Sequence, residues 1–133
     1  MKLRSLLLGV CVSFCTTIFA ANQHFHPQAS DAEKQEANWA GYCDIEIVND
    51  SFDDIRVYGV YDNGFSMLPF YIYSFEAPYH ISLFYYGYCH QGMNLYIDTL
   101  SGWPLYAGYT PRGRTVLISP YLANQSKVEV KVK

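Results

Sequence analysis

The chain is short of charge, and of positive charge most of all. Only 16% of its 133 residues are charged, nine basic against twelve acidic, for a net charge of −3. Binding to phosphate backbones needs a basic face that releases counterions, and docking on anionic membranes needs the same. Neither function class fits. CxxC, HExxH, GxSxG and DxDxDG are all missing, which removes the simplest redox, metalloprotease, hydrolase and calcium-loop readings. Beyond the first twenty residues no apolar run approaches the roughly 20 residues that cross a bilayer.

Those first twenty residues have the layout of a secretory signal peptide. Lys2 and Arg4 supply a positive start, Leu6 to Val12 an apolar core, and Ile18-Phe19-Ala20 a small-residue cleavage site. The expected organisation is a signal peptide over 1–20, a polar leader over 21–41 and one folded domain over 42–133. Loss of Lys2 and Arg4 leaves seven basic residues against twelve acidic, a net charge of −5. The expected location is periplasmic or secreted, with no stable membrane insertion after cleavage. Cys11 and Cys15 leave with the signal, so Cys43 and Cys89 remain, an even number suited to one disulfide in an exported chain. Closing a loop of about 47 residues should stabilise the fold by roughly 4 kcal/mol.

The leader contains none of the 13 tyrosines. Ser30-Asp31-Ala32-Glu33 has capping-box spacing and predicts a short helix over Asp31 to Asn38; residues 21–29 read as a flexible leader. Cleavage after Ala20 makes His24 the fourth residue rather than the third, which spoils a square-planar amine–imidazole copper site. No metal or cofactor is expected.

From Tyr42 onward the apolar period becomes two. Cys43, Ile45 and Ile47 form one strand, then Ile55 and Val57, with Asp62-Asn63-Gly64 as a tight reversal. Phe65 to Tyr73 follows, with Pro69 marking an edge position. Ile81, Leu83 and Tyr85 alternate with His80, Ser82, Phe84 and Tyr86, and Met93, Leu95 and Ile97 with Asn94, Tyr96 and Asp98. These two runs, Tyr79 to Asp98, read as a hairpin with Cys89 in its loop. Leu105, Ala107 and Tyr109 supply the next inward set, then Arg114 to Ser119, then Val128, Val130 and Val132. About eight short strands with turns every 8–12 residues predict an all-β fold, a small antiparallel β-sandwich, immunoglobulin-like in the broad sense. The immunoglobulin tryptophan is absent, since Trp39 and Trp103 both lie outside the cysteine pair.

Strand parity turns Tyr58, Tyr71, Tyr73, Phe84, Tyr86, Tyr96 and Tyr106 outward. Tyrosine combines apolar area with a hydroxyl and suits interfaces, so this set is the candidate binding face for a protein or a glycan. The competing reading is structural, because tyrosine favours strands and cross-strand aromatic pairs stabilise sheets. Asp50, Asp53, Asp54 and Asp62 read as solvated turn carboxylates, and Arg112 and Arg114 as solubilising turn residues. His80 and His90 sit in no catalytic motif, so no catalytic residue is assigned. A non-enzymatic binding module is the expected function; the alternatives are an envelope or assembly subunit and a small hydrolase.

The runs CDIEIVNDSFDDIRVYGVYDNG and LFYYGYCHQGMNLYID resemble small exported β-rich proteins of intracellular gamma-proteobacteria, over about Tyr42 to Val132. No activity is assigned in that group. The resemblance therefore implies a bacterial periplasmic or secreted setting and brings no functional residues.

Overall fold

A computed structural model describes residues 22–37, 43–122 and 125–133. The expected signal peptide, Trp39 and Tyr42 lie outside the described residues. In chain order the elements are β1 (Gln23–His24), α1 (Asp31–Ala37), β2 (Asp44–Asn49), β3 (Ile55–Tyr61), β4 (Ser66–Ile72) and β5 (Tyr79–Ser82). They continue with β6 (Phe84–Tyr85), β7 (Tyr88–Cys89), β8 (Gly92–Thr99), β9 (Pro104–Pro111), β10 (Arg114–Leu122) and β11 (Gln125–Val132). The fold is all-β apart from α1. A five-stranded sheet runs in the order β1-β5-β2-β10-β11, a four-stranded sheet in the order β4-β3-β8-β9, and β6-β7 forms a separate hairpin.

Alternation builds the core. Burial switches residue by residue along β2 and β3, because successive strand side chains point to opposite faces. Ile45, Ile47, Ile81, Val116 and Ile118 come from one sheet and Ile55, Val57, Ile72, Met93, Leu95 and Ile97 from the other, all in one buried cluster. Each such side chain contributes about 1.5–3 kcal/mol relative to an exposed one. The β3–β4 reversal closes at Asp62-Asn63-Gly64, where Gly64 takes a φ of 87° and donates its N–H to the Tyr61 carbonyl. At Gly59 a Cβ would lie 2.4 Å from the Asn94 carbonyl oxygen, so only glycine lets β3 approach β8 this closely.

Four features depart from the sequence reading. The sheets are not purely antiparallel: β10 runs parallel to β2, and β1 parallel to β5. Tyr79 to Asp98 is not one hairpin, since β5 and β8 belong to different sheets. After β5 the chain turns out of the sheet at the buried pair Ser82 and Leu83, and the Ser82 hydroxyl accepts the Phe84 N–H. It then doubles back through β6 and β7 on a two-residue turn in which Tyr86 and Gly87 both have positive φ. Cys89, expected in a loop, therefore lies in β7, opposite Phe84.

The fourth departure is at the start. Residues 22–30 are docked, not free. Gln23 and His24 pair with His80 and Ile81, and the His24 ring stacks on Phe70 at 4.7 Å. In α1 the capping box is formed: the Ser30 N–H donates to Glu33 Oε2 at 2.8 Å and the Glu33 N–H to Ser30 Oγ at 3.2 Å. Glu33 Oε1 also accepts the Gly87 N–H at 2.7 Å, tying the helix to the β6–β7 turn. Leader and sandwich form one packed unit over these residues.

The Cys43–Cys89 disulfide joins the start of β2 to that hairpin, with the Cα atoms 5.7 Å apart. Replacing both cysteines by serine should cost about 2–4 kcal/mol. For a domain of this size that lowers the melting midpoint by roughly 10–25 °C. Calorimetry of the oxidised protein and the double variant measures it; midpoints within about 3 °C would mean that packing alone holds the hairpin.

Candidate functional site

The outer face of the four-stranded sheet carries an aromatic stripe. On β3, Arg56, Tyr58 and Val60 alternate with core residues and so point away from the core. Their partners on β8 are Asp98, Tyr96 and Asn94. Arg56 also faces Tyr71 on β4, and Asn94 faces Tyr109 on β9. Tyr58 and Tyr96 stack with ring centroids 5.3 Å apart and planes at 18°. The Arg56 guanidinium lies over the Tyr58 ring at 4.8 Å and donates to Asp98 Oδ2 at 3.0 Å. Hydrogen bonding to the Asp98 carboxylate pushes the Tyr58 phenol above its ordinary value. At the far end the Tyr109 hydroxyl donates to Asp62 Oδ2 at 3.2 Å. Tyr71 and Tyr109 are each 49% exposed, and Leu68, at the β4 irregularity, is 71% exposed.

The outer face of the five-stranded sheet is charged instead. His80 Nδ1 lies 2.7 Å from Asp44 Oδ2, and the Lys133 ammonium 2.7 Å from Asp44 Oδ1. Glu129 bridges Lys127 and Lys131. Burial raises the Asp44 carboxyl, but its hydrogen bonds from His80 and Lys133 outweigh that and hold it below the ordinary value.

Of the seven aromatic residues expected on one face, the fold gathers Tyr58, Tyr71 and Tyr96. Tyr73 lies past the end of β4 in the loop to β5. Phe84 packs against the core beside the disulfide, and Tyr86 sits on the β6–β7 turn. Tyr106 is on the inner side: it pairs with the buried Ile97, packs against the core and shares a 2.9 Å hydrogen bond with the buried Thr110. The parity of β9 is thus opposite to that expected, which turns Tyr109 outward in its place. In Tyr106-Ala107-Gly108-Tyr109 either parity exposes one tyrosine, so the local pattern could not choose. The ladder chooses, through the pairing of Tyr106 with Ile97.

The histidines serve packing and ion pairing. His80 Nε2 is 4.0 Å from Glu46 Oε1, while its Nδ1 is held by Asp44. With a carboxylate beside each nitrogen, His80 has no hydroxyl or thiol beside it to activate among the described residues. His90 and His26 stack on Tyr85 at 3.7 and 4.0 Å, and Tyr88 covers His90 at 4.1 Å. His26 is 1% exposed and interacts with Asn63 at 3.4 Å. The acidic turn residues close loops: Asp54 accepts the Ser74 N–H, Asp53 the Ser126 hydroxyl and Asp62 the Gly92 N–H. Among the described residues no group of side chains has metal-holding geometry, and no helix is long and apolar enough to cross a membrane.

Comparison with known protein families, curated proteins and solved structures finds no match to this chain.

Burial lowers the His26 and His24 imidazoles below their ordinary value of 6.5. A depressed histidine takes up protons more readily in the undocked chain, so docking of the N-terminal segment is strongest above pH 6.5 and weakens as pH falls through it. Amide protection factors at Gln23 to His26, which remove the intrinsic pH dependence of exchange, should therefore be lower at pH 5 than at pH 7.5. His26→Phe keeps the ring stack and should flatten that profile, with His24→Phe flattening it further. An unchanged profile in the double variant would place the titration elsewhere.

Proposed function

We propose that this chain is an exported, non-enzymatic binding module that takes a protein or glycan partner on the outer face of its four-stranded sheet. The observation that carries the reading is the contrast between the two outer faces. One is laced with Lys, Glu, Asp and His; the other presents Tyr71, Tyr58, Tyr96 and Tyr109 across all four strands, with Leu68, Asn94 and the paired Arg56 and Asp98 among them. Tyrosine-rich, charge-poor surfaces with a few polar groups are the composition of recognition patches.

Export is supported by the residue pattern of 1–20 and by a disulfide of the kind that oxidising compartments maintain. The bacterial setting rests on the resemblance of the Cys43 strand and the Cys89 segment to exported proteins of gamma-proteobacteria. We place the architecture with immunoglobulin-like sandwiches in the broad sense, on its two packed sheets of short strands. An assembly subunit pairing through β11 is disfavoured, because Lys127 and Lys131 guard that edge. A hydrolase built on His80 is disfavoured by the carboxylates at both ring nitrogens.

A photo-crosslinking amino acid at position 71 or 109, in the cells that make the protein, should give discrete adducts that are absent when it is placed at position 117 on the charged face. Tyr58→Ala with Tyr96→Ala should cut the adduct yield from position 71 at least tenfold. Losing the stacked pair should cost only about 1 kcal/mol of stability. Equal adducts from both faces, or none from the tyrosine face, would overturn the assignment.

A further inference from the structure

A groove lies away from the tyrosine stripe, at the lateral edge where β9 and β11 approach. There the β8–β9 turn, the β2–β3 loop and the start of β11 enclose about 600 Å³. Its lining includes Asp53, Thr99, Ser101, Trp103, Gln125 and Ser126. Trp103 is 72% exposed, so the chain leaves its largest kind of apolar side chain in water beside a polar cleft.

The backbone that carries this tryptophan is anchored. Its backbone N–H donates to Thr99 Oγ1 at 3.0 Å, and its backbone carbonyl accepts the Thr99 N–H at 2.9 Å. Ser101 Oγ shares a 2.8 Å hydrogen bond with Thr99 Oγ1, and Gly102 turns the chain with a φ of 87°. The turn is braced to the opposite wall, since the Leu100 N–H donates to the Asp54 carbonyl at 3.2 Å. Across the groove Ser126 Oγ donates to Asp53 Oδ2 at 2.9 Å. The backbone on both sides of the indole is fixed while the ring stays open, and a preformed site of this kind loses little freedom on binding.

The lining chemistry selects the ligand. The volume falls within the roughly 300–1,000 Å³ of small-molecule sites. A carboxylate, three hydroxyls and an amide offer both donors and acceptors, and among the described residues no lysine or arginine lines the groove. An anionic ligand has nothing to pair with, and a purely apolar one would strand those polar groups. A pyranose meets both demands: its C–H face packs on a flat indole and its rim of hydroxyls matches the carboxylate, amide and hydroxyl set. We propose that this groove is a binding site for a neutral saccharide, with Trp103 as the stacking platform and Asp53 and Gln125 as hydroxyl partners. The site shares no residue with the tyrosine stripe and stands or falls separately from it.

The test is NMR titration of the oxidised full-length mature protein with glucose, galactose, mannose, N-acetylglucosamine and N,N′-diacetylchitobiose, each to 50 mM, with glucuronate as the anionic control. The Trp103 indole signal is assigned through Trp39→Phe. At least one neutral sugar should shift the Trp103 indole and the Gly102 amide saturably, and glucuronate should bind at least tenfold more weakly. Trp103→Ala should weaken that binding at least tenfold. Asp53→Asn, which keeps an acceptor for Ser126, should weaken it several-fold, and Lys131→Ala on the charged face should leave it unchanged. No saturable shift with any neutral sugar, a preference for glucuronate, or shifts that map to Tyr58 and Tyr96 instead of Trp103 would overturn the proposal.

Discussion

Between the two sheets lies a layer of Ile, Val, Leu and Met side chains, and its volume governs where the aromatic residues go. Tyr61 and Tyr85 are the tyrosines buried fully within the described residues, and the Tyr61 hydroxyl has no hydrogen-bond partner there. Burial pushes the Tyr85 phenol up to about 12 and the Tyr61 phenol higher still. A buried, unpaired hydroxyl costs roughly 1–3 kcal/mol, so a core with more tyrosines would soon lose what their rings contribute. The remaining tyrosines take positions where the ring packs and the hydroxyl reaches water or a partner. The outer sheet face is therefore aromatic partly by necessity.

The same layer explains the end of the sandwich where the chain leaves β5. Tyr85 leaves the sheet and becomes the middle of a stack between His26 and His90. That stack needs three things held together: the N-terminal segment that brings His26, the β6–β7 hairpin that brings Tyr85, and the turn after β7 that brings His90. Cys43–Cys89 fixes the hairpin, and Glu33 fixes the helix to it. A covalent bond, a capping carboxylate and ring stacking thus converge on one corner, where sheet hydrogen bonding alone provides little.

Much of this was legible in the sequence. The alternation of β2, β3 and β8, the Asn63-Gly64 reversal, the capping box at Ser30 and the cysteine pairing all rest on local patterns with a direct physical cause. What escaped was non-local. A two-residue strand at Gln23–His24 has no period to detect, and His26 is buried only because Tyr85 and Tyr61 are waiting for it. The break at Ser82–Leu83 lies inside an unbroken alternation, so parity predicted the burial of Ile81, Leu83 and Tyr85 correctly, missed that of Ser82 and the packing of Phe84, and predicted the pairing wrongly. On β9 both parities satisfied the local sequence, and pairing with Ile97 decided between Tyr106 and Tyr109. Trp103 drew attention only by its absence from the interval between the cysteines.

The remaining question is why the tyrosine face should be more than a by-product of core volume. Stacking accounts for Tyr58 and Tyr96, which shield each other, and Arg56 and Asp98 satisfy one another beside them. Structure alone does not require the rest. Tyr71 and Tyr109 leave half their area in water and Leu68 most of its area, on edge strands where a charged residue would protect better against pairing. The charged face shows that this chain can protect an edge: β11 carries Lys127, Glu129 and Lys131. Charged guards of this kind are missing from β4 and β9; β4 has Pro69 and a register shift instead, and β9 runs close to β11. Arg56 is already paired with Asp98, so among the described residues the stripe offers no free cation to steer a partner, and Asp62 at its far end is held by a hydroxyl and an amide rather than by a cation. Recognition there would rest on shape, ring area and hydroxyl geometry, which sets it apart from the electrostatic encounter that a net charge of −3 would otherwise suggest.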